Sequence, residues 1–374
     1  MIQISSAFDA GNINIVSAEK PEDIRVEIRK DTASDFFQWF YFRAAGVCGE
    51  DCVIRIVNAG QASYARGFKD YRACASYNRD DWFRVDTEYD GDCLTLKFKA
   101  EFDSIYFALF APYSLERHRG FVARCQQSPF ARLEVLGQTV EGRDMDLLTV
   151  GEPVSRKKVC WAIARQHPGE SMGQFWMEGF LERLLDPNDR VAVAVRDKAV
   201  FHLVPNMNPD GSVLGNLRTN AAGANLNREW AKPSQEKSPE VFYVRNRMVE
   251  TGVDFAIDVH GDECIPHNFI SGADHVPSAD KRMKRLLPAF KDALLVASPD
   301  FQTQHGYPAV FQANLSICAS NIAESFKCLA MTLEMPFADH NDRPDPCQGW
   351  SPGRSYALGA DCLEAISVVL DDLR

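Results

Sequence analysis

Four short apolar runs constrain the fold more than any other feature of the chain. They are VCWAIA (159–164), AVFHLVP (199–205), DFAIDV (254–259) and CLAMTLEMP (328–336). Each is continuous, and turn-rich or helix-like segments bound it, so each reads as a strand buried on both faces. Such strands belong to a mostly parallel sheet covered by helices on both sides. The intervening segments supply those helices. SPEVFYVRNRMVETG and SADKRMKRLLPAFKDALLV are helix-like, and Trp176, Phe180 and Leu184 recur at four-residue spacing.

The first third follows a different pattern. DCVIRIVNAG, DWFRVDTEYDGDCLTLKFKA and IYFALFAPYS are β-like runs separated by turn signals, and YDGD at 89–92 is a hairpin signal. Strand alternation gives way between Arg117 and Gln127. The expected architecture is therefore α/β: an N-terminal antiparallel β-sandwich-like domain (1–120), then a mixed, mostly parallel α/β/α domain (121–374). The aromatic run DFFQWFYF, which begins at Asp35, predicts heavy burial against the second domain or a second copy of the chain, so a homo-oligomer stays open.

The 41 basic and 52 acidic residues give a net charge of −11. That argues against nucleic-acid binding, which needs a basic footprint. The sequence MIQISSAFDAGNINIV has no basic stretch followed by an apolar one, and no run is long enough to span a bilayer. The expectation is a cytoplasmic protein with no membrane partner. The eleven cysteines read as reduced, mostly buried thiols. Cys48 and Cys52 lack a second pair at zinc-ribbon spacing.

The chemically loaded residues follow the four strands. His167 and Glu170, in RQHPGES, come after the first. NMNPDGSVLGNLRTNAAGANLNREW (206–230) comes after the second. His260 ends DFAIDVH and Glu334 ends AMTLE. The carboxyl ends of the strands are where an α/β sheet builds a site. Two imidazoles and one carboxylate make a catalytic zinc set with a position left for water, and the metal lowers the pKa of that water to about 7. Glu334 suits proton transfer, and Arg218 and Arg228 suit an anionic group and a developing oxyanion. His260 also opens a second His-x-x-Glu ending at Glu263, so either glutamate can complete the set. His202, inside an apolar run, reads as a core histidine. His118, His267, His275, His305 and His340 read as surface imidazoles, with His267 a candidate for the rim. Asn208-Pro209-Asp210-Gly211 is turn chemistry first; bracing a site arginine is a second role for Asp210.

The motifs HPGE, NPDG, GNLR, GANLNREW, DVHGDE and TLE together resemble the zinc metallocarboxypeptidases of the carboxypeptidase A superfamily, most of all the cytosolic carboxypeptidase branch. SYNRDDWFRV and FAPYSLERH resemble the β-domain that precedes the peptidase there. The resemblance runs from about residue 35 to 335. It implies one zinc ion (Zn2+) per chain on His167, Glu170 and His260. It implies Asn227 and Arg228 as binders of the substrate's C-terminal carboxylate, Arg218 for the oxyanion, and Glu334 as general base and acid. The implied substrate is the C-terminal tail of a peptide or protein. Asn225 stands where the branch often has Asp, which removes a charge partner near the arginine. Tyr307 is the candidate for the family's mobile tyrosine. Two other functions share parts of this pattern: an aspartoacylase-like zinc deacylase of N-acyl amino acids, and a tail-binding module without catalysis. In the deacylases the β-domain follows the catalytic one; here the β-rich part comes first.

Overall fold

The computed structural model describes residues 2–308 and 312–374. Two five-stranded sheets form the N-terminal β-domain. One runs Gln3–Ser5, Tyr41–Ala45, Ser104–Ala108, Cys74–Ser76 and Phe83–Arg84 and is antiparallel throughout. The other runs Asn14–Ser17, Ile24–Glu27, Asp51–Ile56, Leu94–Lys99 and Asp86–Tyr89, with one parallel pair, Ile24–Glu27 beside Asp51–Ile56. Alternation along Asp51–Ile56 buries Cys52, Ile54 and Ile56. Phe98 of this sheet meets Phe107 of the other at 4.7 Å between ring centroids, as expected of two sheets packed face to face. The YDGD hairpin forms: Tyr89 pairs with Leu94, and Asp90 Oδ1 accepts the Asp92 and Cys93 amides at 2.9 and 2.8 Å.

A seven-stranded mixed sheet dominates the rest. Its order is Ala131–Gln138, Asp144–Val150, Ala199–Val204, Lys158–Ala164, Phe255–Asp262, Leu329–Pro336, Phe269–Gly272. The four central strands, read from sequence as apolar runs, are mutually parallel; the two at one edge and the one at the other each pair antiparallel with their neighbours. Helix Leu115–Cys125 spans the stretch where the sequence pattern changes. The two helix-like segments form as Pro239–Thr251 and Lys281–Ala297.

Helices Met172–Leu185 and Pro352–Val369 cross closely through two glycines. A Cβ on Gly359 would lie 2.0 Å from Trp176 O, and one on Gly179 would lie 1.9 Å from Tyr356 O. Both obstacles are backbone, so the helices must separate to admit a methyl. Gly359→Ala is expected to lower stability by roughly 1–3 kcal/mol, the usual cost of overpacking. Urea unfolding measures this; an unchanged midpoint would show that the crossing tolerates the added carbon.

The β-domain is tied to the sheet by Arg84. Its buried guanidinium donates to Phe337 O and Ala338 O at 2.8 Å, Gln348 O at 3.0 Å and Trp350 O at 3.1 Å. The aromatic run from Asp35 is buried within the chain itself: Phe37, Trp39, Phe40, Tyr41 and Phe42 all lie in the core. Among the described residues, no helix is long and apolar enough to cross a membrane.

Candidate active site

The site begins at the turn after Lys158–Ala164. Arg165 enters it with φ +61° and is 1% exposed. Its guanidinium donates to Pro168 O and Tyr113 O, each at 2.8 Å, and to the Gln174 side chain. The turn is thereby cross-braced before helix Met172–Leu185 starts. Gly169 closes it: its amide donates to Leu217 O at 2.9 Å, and a Cβ there would lie 2.9 Å from the same oxygen. This bracing directs His167 and Glu170 inward.

His260 and Glu334 come from adjacent parallel strands and are direct cross-strand partners, so they share one face of the sheet. His167 Nδ1 lies 2.7 Å from Glu170 Oε1, His260 Nδ1 lies 2.7 Å from Glu170 Oε2, and the two Nδ1 atoms are 3.1 Å apart. All three residues are buried. The outer nitrogens are committed elsewhere. His167 Nε2 lies 3.0 Å from Asn225 Oδ1, and His260 Nε2 lies 2.9 Å from Asp258 Oδ2. Those oxygens can only accept, so each Nε2 carries the ring proton, and both Nδ1 lone pairs point at the Glu170 carboxylate. Three acceptors facing one another in a buried space are the donor set of a divalent cation, and the N,N,O composition suits zinc. Carboxylate and amide oxygens behind the imidazoles complete the usual outer shell. Sequence reasoning left Glu263 open as the carboxylate of this set; Glu170 is the one brought to both imidazoles.

Burial, then the Arg218 charge, push the His167 imidazole down to about 4, so it is neutral. Burial alone would raise the Glu170 carboxyl, but His167 and His260 outweigh it and hold it below the usual carboxylate range. Burial would likewise lower His260, yet Asp258 and Glu170 raise it well above an ordinary histidine. Asp258 and Glu170 thus favour positive charge at His260, the two imidazoles favour negative charge at Glu170, and burial with Arg218 keeps His167 neutral.

These residues open onto a cleft of about 680 Å³ that Arg218, Asn227, Arg228, Tyr307 and Glu334 also line. Glu334 is 6% exposed; burial raises its carboxyl well above the usual range. Oε1 accepts from the Tyr307 hydroxyl at 3.1 Å, and Oε2 has no partner among the described residues. The same hydroxyl lies 2.7 Å from Asp262 Oδ2, so its one proton is shared between the two carboxylates. Among the described residues, no carboxylate lies within ion-pair distance of Arg218 or Arg228. Burial, then the charge of Arg218, lower the Arg228 guanidinium. Two unpaired cations on one cleft wall mark an anion site. Asn227 Oδ1 accepts the Cys318 amide at 2.9 Å, and its Nδ2 lies 3.4 Å from His260 Nε2.

Several expectations change. Asn225 faces His167, not Arg228, so it serves the metal set. Asp210 accepts from Arg143 Nη1 and Thr139 Oγ1, each at 2.7 Å, and braces the 139–143 turn, not a site arginine. His275 lines the cleft and His267 does not. His118 and His340 are buried, not on the surface. His118 Nε2 lies 3.1 Å from Asp146 Oδ2, and His202, a core histidine as expected, bonds Thr149 Oγ1 at 3.0 Å. His267, His340 and Asp342 form a second gathering of metal-type ligands. There His340 Nδ1 accepts the Asp342 amide at 3.2 Å, and His340 Nε2 is buried with no hydrogen-bond partner among the described residues. His267 stacks on His305 at 4.1 Å, two residues before Tyr307. Asp258, Gln166 and Arg165 were missed by sequence reasoning. Gln166 donates to Asp258 Oδ2 at 2.7 Å and accepts from Trp230 Nε1 at 2.8 Å, which pins the carboxylate behind His260.

Known proteins resemble this chain in sequence and fold. The zinc carboxypeptidase family matches residues 122–340, and the cytosolic carboxypeptidase N-terminal domain matches residues 4–110. A metallo-carboxypeptidase from Burkholderia cenocepacia is 50% identical, with a TM-score of 0.97 over 99% of this chain and 100% of that one. A metallo-carboxypeptidase from Pseudomonas aeruginosa, solved in complex with (2-guanidinoethylmercapto)succinic acid, is 45% identical, with a TM-score of 0.97 over the whole of both chains. Cytosolic carboxypeptidase 6 of Mus musculus is 29% identical over 300 residues, covering 72% of this chain and 55% of its own length. The chain thus spans about half of that relative. The chain belongs to the zinc carboxypeptidase family and is a metallocarboxypeptidase hydrolase that carries the cytosolic-branch β-domain at its N-terminal end.

Proposed function

We propose that the enzyme removes single residues from the free C-termini of peptides or flexible protein tails, with His167, Glu170 and His260 holding one zinc ion. The observation that carries this reading is the cleft itself: three converging metal-type donors, an unpartnered Glu334 oxygen and two unpaired guanidiniums share one wall. Zinc held there would supply a Lewis acid for the scissile carbonyl and an acidic water. Glu334 takes a proton from the attacking water as its oxygen adds to the carbonyl carbon. The same carboxyl returns that proton to the amine nitrogen as the C–N bond breaks. Arg218 stands ready for the negative charge that develops on the carbonyl oxygen. Arg228 and the Asn227 amide hold the terminal carboxylate, and a planar guanidinium rewards a planar carboxylate at a fixed reach. The ligand solved with the Pseudomonas relative is a succinate, and a carboxylate is what these guanidiniums suit. Tyr307, hydrogen-bonded to Glu334, covers the reacting bond.

A panel of peptides, free or amidated at the C-terminus and with or without chelator, tests this by mass spectrometry. Loss of single residues from free termini only, abolished by chelation, is the expected result. Chain shortening of amidated peptides would sink the carboxylate requirement. Release of acyl groups from N-acyl amino acids with no peptide shortened would favour the deacylase. Arg228→Ala is expected to raise KM for free-terminus peptides about 10-fold or more, the worth of a charge-assisted hydrogen bond. An unchanged KM would remove Arg228 from substrate binding.

A further inference from the structure

The loop that carries Arg218 is gripped by the β-domain. Asp31, 4% exposed, accepts three successive backbone amides of that loop: Leu217 at 2.6 Å on Oδ1, and Arg218 at 2.8 Å and Thr219 at 3.0 Å on Oδ2. The Thr219 hydroxyl adds a fourth bond to Oδ2 at 3.1 Å. The grip extends to either side. Asn216 Oδ1 accepts the Thr32 amide at 3.0 Å, and Asn12 Nδ2 donates to Gly215 O at 2.7 Å. The Arg218 guanidinium then lies 5.6 Å from the Phe36 ring centroid and 5.3 Å from that of Tyr64. So the backbone of Arg218 is fixed by a β-domain carboxylate, and its charge is flanked by two β-domain rings. A carboxylate over a run of amides makes charge-assisted bonds, stronger than neutral ones, and the rings attract the cation without neutralising it.

We propose that Asp31 is a positioning residue for Arg218, with Phe36 and Tyr64 holding the guanidinium, so that the β-domain forms part of the catalytic centre. This rests on the reading of Arg218 above as the group that faces the oxyanion. A guanidinium with no ion-pair partner has nothing else to hold its aim, and a misplacement of about 1 Å in a catalytic group costs up to ~10²-fold in rate.

The test compares Asp31→Asn, Arg218→Ala and the double variant in the full-length zinc enzyme. Asparagine keeps the shape but presents an amide group to the loop's own amides. Asp31→Asn is expected to lower kcat about 10- to 100-fold, with KM within threefold and with unchanged zinc content and near-ultraviolet circular dichroism. The double variant is expected to be no slower than Arg218→Ala, because both changes remove one interaction. A folding defect would instead multiply the two losses, and that result overturns the proposal. So does a kcat for Asp31→Asn within twofold of the parent. Should Asp31→Asn fail to fold, Phe36→Ala alters a half-buried ring. It is expected to lower kcat about 2- to 5-fold, the worth of an exposed cation–π contact, and to do nothing further in the Arg218→Ala background; an additive effect overturns the proposal. A near-normal kcat for Arg218→Ala brings down the oxyanion reading and this inference with it. A slow Arg218→Ala beside a normal Asp31→Asn brings down this inference alone.

Discussion

Glu334→Gln is expected to leave one zinc ion per chain and to lower kcat by about 10²–10⁴-fold, the contribution of a positioned general acid–base. The substitution nearly preserves shape. Strand Leu329–Pro336 is buried along its whole length, so the backbone that carries the side chain stays in place. The Tyr307 hydroxyl can still donate to the remaining oxygen. What disappears is a carboxylate able to take a proton from water and return it to nitrogen. KM is expected to change little, because the group acts on reacting atoms and not on the terminal carboxylate. Zinc content by mass spectrometry and steady-state kinetics on one free-terminus peptide give both numbers. A kcat within tenfold of the parent would move the base elsewhere, to Asp262 or Glu263, the other carboxylates of the cleft wall.

How much of this could be read in the sequence depended on where each residue finds its partner. The four central strands were legible because burial on both faces leaves a continuous apolar run. The edge strands were not. Ala131–Gln138 has the sequence ARLEVLGQ and is largely solvent-facing, so its composition resembles a loop. Phe269–Gly272 is only four residues long. His167, Glu170, His260 and Glu334 were legible because each ends or follows an apolar strand, and parallel strands deliver their ends to one edge. Asp258 carried a signal that went unused. It is an acid within a buried strand, two residues before His260, and therefore faces the same way. Asn225 read as a lost charge because its true partner, His167, lies 58 residues away. Asp31 left no signal at all: its partners lie about 186 residues along, and an isolated Asp in a polar segment looks like any solvated acid. The buried His118 misled for the same reason, since Asp146 and Gln174 come to it only in the fold.

The metal set makes the other strong prediction, and Asp258 sharpens it. Glu170→Gln is expected to abolish retention of zinc on dialysis, and with it turnover. The carboxylate that balances the charge between two imidazoles is replaced by a neutral amide, whose nitrogen is no ligand. Asp258→Asn should behave differently. Asp258 accepts the His260 Nε2 proton and touches no metal-facing atom. Losing its charge weakens the basicity and aim of one ligand, which typically costs about 10–100-fold in metal affinity. Activity should then return when zinc is supplied in excess, whereas Glu170→Gln should remain inactive. Competition with a chromophoric chelator separates the two affinities, and kinetics at graded zinc concentrations separates the two activities. One zinc ion retained per chain in Glu170→Gln would place the carboxylate ligand elsewhere. Glu263, which lines the same cleft, would be the alternative, although among the described residues no hydrogen bond joins it to His260. Equal and irreversible loss in both variants would mean that Asp258 holds the strand end together and does more than orient one ring.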